Sequence, residues 1–118
     1  MKIRTEHGDI EMTGDVFSTI SGHAAMGCYG VKGMAARSVA DGIVGLLKKE
    51  HISRGVKVTY FPEAGEVGLA LHIVVEYGVN IPAACRSIMS EVRYILEKST
   101  GIRVRTVSIY VDAIAAHR

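Results

Sequence analysis

The sequence predicts a small two-layer α+β domain of order β-α-α-β-β-α-β, with the helices on one face of a mostly antiparallel sheet. Three observations carry that expectation. Val56, Val58 and Tyr60 alternate with Lys57 and Thr59; after Pro62-Glu63-Ala64-Gly65 the alternation resumes at Val67, Leu69, Leu71, Ile73, Val75 and Tyr77, which reads as a hairpin. Ile81, Cys85, Ile88, Val92, Ile95 and Ser99, supported by Leu96, then recur at helical spacing, with Arg86, Ser90, Arg93 and Glu97 on the opposite side. Ile102, Val104, Val107, Ile109 and Val111 form a closing strand whose phase changes near Arg105, the mark of a bulge or twist.

The remaining elements follow in chain order. Gly8-Asp9-Ile10-Glu11-Met12 alternates briefly and predicts a short edge strand. Thr13 suits a helix N-cap with Asp15 in the first turn, and Val16, Phe17, Ile20, Ala24 and Cys28 predict a helix over 14 to 28 that ends in glycines. A second helix is predicted over 38 to 49, with Val39, Ile43, Leu46 and Leu47 inward and Lys48 and Lys49 at its negative end. Before the long helix, Gly78 relaxes the backbone, Asn80 caps and Pro82 stiffens the first turn; Gly101 ends it. On the second strand of the hairpin, Gly68, Ala70, His72, Val74 and Glu76 occupy the face opposite the core, available to another segment or chain.

The chain has 118 residues, of which 48% are apolar, enough for one domain with a core. No repeat, linker or low-complexity tract divides it, so residues 1–118 read as a single domain. Its net charge of +2, from 14 Lys/Arg against 12 Asp/Glu, lacks the basic excess that marks nucleic-acid or anionic-membrane binding. The apolar runs are far shorter than the roughly 18 to 20 residues of a membrane span. The N-terminus is polar where a secretory signal has its apolar core, so a cytoplasmic location is expected. Cys28 and Cys85 are expected as buried, reduced thiols.

Motifs for chemistry are sparse. His7, His23, His51, His72 and His117 are scattered, with no H-x-x-x-H and no C-x-x-C, which argues against a zinc site. Ser18, Ser21, Ser38, Ser87, Ser90 and Ser108 have no evident base, and Glu66, Glu76, Glu91 and Glu97 are not paired for acid-base work. No catalytic, cofactor-binding or metal residue is therefore assigned. Gly30-Val31-Lys32-Gly33 is a G-x-x-G loop which, placed between two helices, matches the layout of the KH module and gives an alternative reading as an RNA-binding domain. Lys32, Arg37, Lys48, Lys49, Arg54 and Lys57 make the middle of the chain basic, but few aromatics interleave with them.

Taken together, these segments resemble the alkaline shock protein family, small envelope-stress proteins of Gram-positive bacteria. The resembling residues are Ile10-Glu11-Met12-Thr13 leading into Val16, Ile20 and Ala24-Ala25, then Gly30-Val31-Lys32-Gly33-Met34, and Asp41-Gly42-Ile43 with Leu46-Leu47. The most specific stretch is Val74-Val75-Glu76-Tyr77-Gly78-Val79-Asn80-Ile81-Pro82, and Val107-Ser108-Ile109-Tyr110-Val111-Asp112 completes it. The resemblance implies a non-enzymatic stress or scaffold protein that works through protein contacts at or near the cytoplasmic face of the membrane; the exposed sheet edge and the second face of the long strand, with Ala70 and Val74, separately predict homo-oligomers. The resemblance implies as partner a membrane-anchor protein or a kinase of the dihydroxyacetone or fatty-acid type. It supplies no catalytic residues, cofactor or metal. Glu76, at the rim of the strand-to-helix motif, is the residue expected to recognise a partner directly.

Overall fold

The described residues, 1–37 and 44–115 of a computed structural model, fold in the order β1 (Lys2–Thr5), β2 (Gly8–Glu11), α1 (Gly14–Met26), β3 (Val31–Arg37), β4 (Val44–Leu46), a 3₁₀ segment (Lys49–Gly55), β5 (Val56–Phe61), β6 (Glu66–Val75), α2 (Ile81–Thr100) and β7 (Arg103–Ile114). The mixed α+β class follows the sequence, but the element order differs in three places. A strand, β1, precedes the expected first strand, and among the described residues the two pair only with each other, as a hairpin from Lys2↔Glu11 to Thr5↔Gly8, rather than lying at the edge of the main sheet. The helix expected over 38 to 49 is absent from its described part, where β4 pairs with β3 and a 3₁₀ segment follows. Leu46 is exposed rather than inward, while Ser38, Val39, Asp41 and Ile43 lie outside the described residues, as does His117. The third difference is the direction of the last strand.

β6 organises the sheet because its β-branched and aliphatic residues alternate along its whole length. β5 pairs with it antiparallel from Val56↔Leu71 to Phe61↔Glu66, closing the expected hairpin through Gly65 at φ +68°. β6 stops at Val75, so Tyr77 falls outside it and is exposed. β7 pairs with β6 parallel, from Glu66↔Arg103 to Val75↔Ile114, so the sheet is mixed. A strand has two edges, and β7 occupies one of them completely. β5 therefore shares the other with β3, which pairs antiparallel with the far end of β6 from Val31↔Val75 to Met34↔Ile73. The register shift opposite Val67 and Gly68 leaves Arg105 as the extra residue, the irregularity expected there.

Val67, Leu69, Leu71, Ile73 and Val75 face the helices and are buried with Phe17, Met34, Ile88, Val92 and Leu96. Both helices contact that face. Asn80 caps α2 as expected, its side-chain oxygen accepting from the Ala83 N–H at 3.0 Å, and Gly101 closes it in the left-handed region at φ +74°. The buried stripe of α2 is rotated from the expected one: Ala84, Ile88, Val92, Leu96 and Thr100 are buried, Ile81, Cys85 and Ile95 lie at the margin, and Ser99 is exposed. α1 shows the same shift. Phe17, Ser18, Ser21, Gly22 and Ala25 are buried, whereas Val16, Ile20, Ala24 and Cys28 are only half-buried. Small residues hold the inner face because the elements approach closely there; a Cβ at Gly22 would run into the Ile52 side chain. Thr13 stands at the N-cap position of α1 but makes no side-chain capping bond.

Candidate functional site

The face of the sheet turned away from the helices is built by the other residues of the same strands. Because side chains alternate across a strand, Gly68, Ala70, His72 and Val74 of β6 share this face with their directly paired neighbours. Thr59 and Thr106 flank Gly68, Lys57 and Ser108 flank Ala70, and Tyr110 stands beside His72. Lys57, Thr59, Thr106, Ser108 and Tyr110 are exposed. The floor is close-fitted: a Cβ at Gly68 would lie 3.1 Å from Thr106 Oγ1 and 3.2 Å from the Phe61 ring.

Each end of this face carries a polar and aromatic cluster. At one end the Arg105 guanidinium lies 3.8 Å from the centre of the Phe61 ring, and its Nε donates to Glu66 Oε1 at 2.7 Å. An open notch of about 350 Å³ adjoins it, lined by Tyr60, Phe61, Pro62 and Arg105 among others. At the other end His72 Nδ1 and Asp112 Oδ2 are 3.0 Å apart, and the His72 ring stacks on Tyr110 with centroids 4.8 Å apart and planes 13° apart. The Asp112 side chain is only 7% exposed and lines a hollow of about 250 Å³ with Ala35, Arg54, Gly55 and His72.

A carboxylate accepting from Nδ1–H leaves Nε2 as an acceptor, which is two-thirds of a nucleophilic triad. Among the described residues, no serine or cysteine is hydrogen-bonded to His72. Ser108 sits one step along the face, opposite Ala70. Among the described residues there is also no group of three or more His, Cys, Asp and Glu side chains that could hold a metal. The arrangement can rigidify the face and offer hydrogen bonds and an aromatic platform.

The other residues considered from the sequence are dispersed. Gly30, at φ +87°, turns the chain into β3, and Gly33 is buried in that strand opposite Val74. The Leu46 side chain comes within 2.9 Å of where a Gly33 Cβ would stand. The G-x-x-G segment is thus part of a strand and partly covered, not an open loop between two helices, which removes the geometric basis of the KH layout. Glu76 is exposed at the rim, where its N–H donates to the Gly30 carbonyl at 2.8 Å and so brings the exposed Tyr29 and Tyr77 loops together. Cys28 and Cys85 are half-buried and reduced. Burial pushes both thiols up from their ordinary value, and the Glu91 carboxylate adds to the rise at Cys28. His23 is exposed.

Sequence reasoning missed Asp112 as the partner of His72, and it missed the pair of α2 side chains that grip β7. Arg93 Nη1 donates to the Val104 carbonyl and Glu97 Oε2 accepts from the Val104 N–H, both at 2.8 Å. The helical pattern sets both side chains opposite the apolar stripe, and it holds no signal that a strand would come within their reach. No helix among the described residues is long and apolar enough to cross a membrane.

Comparison with known proteins adds a family. Residues 2–116 match the model of the alkaline shock protein family, described as having a cell envelope-related function. The uncharacterized protein YloU of Bacillus subtilis is 33% identical over 97% of this chain and 94% of its own length. The uncharacterized protein Spy1614 of Streptococcus pyogenes is 34% identical over 97% of this chain and 93% of its own. A second Bacillus subtilis protein, the uncharacterized YqhY, is 28% identical over 93% of this chain and 79% of its own. No solved structure matches.

Proposed function

Because the chain belongs to the alkaline shock protein family that its residues resemble, we propose that it is a non-enzymatic, cell-envelope-related stress or scaffold protein acting through protein contacts. The observation that carries this reading is the uncovered sheet face, exposed at Lys57, Thr59, Thr106, Ser108 and Tyr110 and braced at both ends by hydrogen-bonded clusters. Such a face is rigid, broad and rich in hydrogen-bonding groups, which suits a polar protein interface. The protein works in the cytoplasm, peripheral to the inner face of the membrane, held there by a partner. The partner is a membrane-anchor protein or a kinase of the dihydroxyacetone or fatty-acid type.

The test is co-purification of the tagged chain from its own cells with each of those two candidates. Lys57→Glu and Ser108→Arg, both at exposed positions of the face, are expected to abolish recovery of the partner while leaving the circular dichroism spectrum intact. Recovery unchanged in both variants, or no recovery of either candidate with the wild type, would overturn the reading.

A further inference from the structure

The chain has five tyrosines and two phenylalanines, and most of their rings are engaged within the molecule. Phe17 meets Tyr60 edge to face, Tyr110 stacks on His72, Lys98 lies over Tyr94 and Arg105 lies over Phe61. Tyr29 and Tyr77 are the two without such a partner among the described residues. They are also the most exposed rings, at 81% and 70%.

Each of the two is followed by a glycine in the left-handed region, Gly30 at φ +87° and Gly78 at φ +91°. The Glu76 N–H and the Gly30 carbonyl tie these turns together, one step beyond the Val31↔Val75 pair. Gly30 in turn abuts the start of α2: a Cβ there would lie 3.2 Å from Val79 Cγ1 and 3.5 Å from the Ala84 Cβ. Two rings are thus presented to water on fixed backbone, which lowers the ordering cost of a contact. Glu76 adds an exposed carboxylate that has no ion-pair partner among the described residues.

We propose that Tyr29, Glu76 and Tyr77 receive an arginine side chain from a partner protein. The inference rests on the reading of the protein as one that acts through protein contacts, and it names what a partner presents.

The choice of occupant follows from chemistry that the molecule already uses. At the Arg105 cluster the guanidinium lies 3.8 Å from the centre of the Phe61 ring while its Nε donates to Glu66 Oε1 at 2.7 Å. The rim supplies rings and a carboxylate but no cation of its own: among the described residues none lies over Tyr29 or Tyr77, Lys32 included. A ring face attracts a cation through its quadrupole, and a carboxylate accepts from the two-pronged edge of a guanidinium. Arginine meets both demands because its planar group stacks and forks, whereas a lysine ammonium is a compact, strongly hydrated point charge. Tyrosine and arginine are also among the residue types that dominate binding energy at protein interfaces.

The test is an NMR titration of the isotope-labelled full chain, followed through backbone amides and tyrosine ring signals. The probes are acetyl-Gly-Arg-Gly-amide and its lysine and citrulline counterparts. Saturable shifts are expected at the Tyr29 and Tyr77 rings and the Glu76 amide, with a dissociation constant on the order of 1 mM. The lysine peptide should bind about threefold more weakly, and the citrulline peptide, which keeps the shape without the charge, not measurably. Tyr77→Ala and Glu76→Gln, both at exposed positions, should each weaken arginine binding roughly two- to fivefold. Tyr94→Ala removes a ring that has its own lysine and should leave binding unchanged. Glu76→Arg, which sets like charge against the incoming guanidinium, should also cut recovery of the co-purified partner about tenfold. Shifts centred on other residues, absence of saturation, or equal binding of the lysine or citrulline peptide overturns the site. So does indifference to both Tyr77→Ala and Glu76→Gln, an equal loss in Tyr94→Ala, or partner recovery unchanged by Glu76→Arg. Partner recovery lost in Lys57→Glu and Ser108→Arg, without arginine binding at the rim, defeats this inference and leaves the proposed function standing. Arginine binding at the rim with neither candidate partner recovered from cells does the reverse.

Discussion

Asn80 and Thr13 occupy the same place relative to their helices, yet only Asn80 makes the capping bond. The difference is local. Asn80 is followed by Pro82, which has no N–H of its own to satisfy, and its carbonyl-bearing side chain reaches the Ala83 N–H at 3.0 Å. Asn80→Ala is expected to cost about 0.5 to 2 kcal/mol with the fold retained, read from the midpoint of denaturant unfolding; an unchanged midpoint would show the bond to be idle. Such a cap is legible in a sequence because its physics is confined to a few neighbours. The His72–Asp112 contact is not, since its partners lie 40 residues apart and meet only through the parallel register of β6 and β7. The cysteines carry a pH prediction at the same scale. Burial raises the Cys28 thiol first and Glu91 raises it further, so the neutral thiol persists in the folded protein at a pH where an unfolded thiol has begun to ionise. Any stability this lends is complete below the unfolded thiol pKa and fades as pH rises through the folded one. Iodoacetamide labelling of Cys28 should therefore rise with pH later than that of a free thiol. Glu91→Gln should move the Cys28 profile to lower pH and leave in place that of Cys85, whose thiol is raised by burial; a shift at both or at neither would contradict the assignment.

At the scale of elements, legibility depends on how the signal repeats. The β5–β6 hairpin follows from period-two alternation around Pro62 and Gly65 with no help from tertiary structure. In the described part of the segment expected as a second helix, Val44, Leu46 and Leu47 are too few to separate a helical period from a strand, and pairing with β3 decides for the strand. The parallel direction of β7 is a consequence of lengths. A 20-residue helix spans about 30 Å and a 10-residue strand about 33 Å, so α2 returns the chain from the end of β6 to its beginning, and β7 starts where β6 started. The inward face of α2 differs from the one its apolar pattern predicts because size outweighs hydrophobicity at close approach: Ala84 and Thr100 are buried, while Cys85 and Ile95 are marginal. Substitution separates the two faces. Ile88→Ala and Leu96→Ala, both fully buried, should destabilise by about 2 to 5 kcal/mol through lost transfer and the cavity left behind. Ile95→Ala should cost about 1 kcal/mol, in keeping with a side chain that remains partly in water. Equal losses at Leu96 and Ile95 in a urea titration would mean that the stripe faces the way the sequence pattern suggests.

For the whole molecule, extended over 56 × 31 × 22 Å with a net charge of +2, the question with the largest functional consequence is whether nucleic acid is a ligand. Two surfaces come into question. The G-x-x-G segment has an exposed Lys32, but its second glycine is buried in β3 beside Leu46, so the strand cannot open to receive a phosphate backbone without losing its pairing to Val74. The uncovered sheet face has Lys57 and Tyr110, and it lacks the ladder of exposed aromatics on which successive bases stack, since Phe61 lies under Arg105 and the Arg105 charge is engaged by Glu66. A few lysines can attract phosphate at low salt, but that attraction falls steeply as counterions compete, so its persistence at physiological salt is the discriminating property. Fluorescence anisotropy with single-stranded RNA and DNA pools at about 0.15 M salt is expected to give no submicromolar binding. Tight binding lost in Lys32→Ala would restore the loop as a nucleotide site, and tight binding lost in Lys57→Ala and Tyr110→Ala would make the sheet face a base-stacking platform. The second outcome would overturn the protein-contact reading, because a polar face that holds nucleic acid at that salt is not left vacant for a scaffold partner.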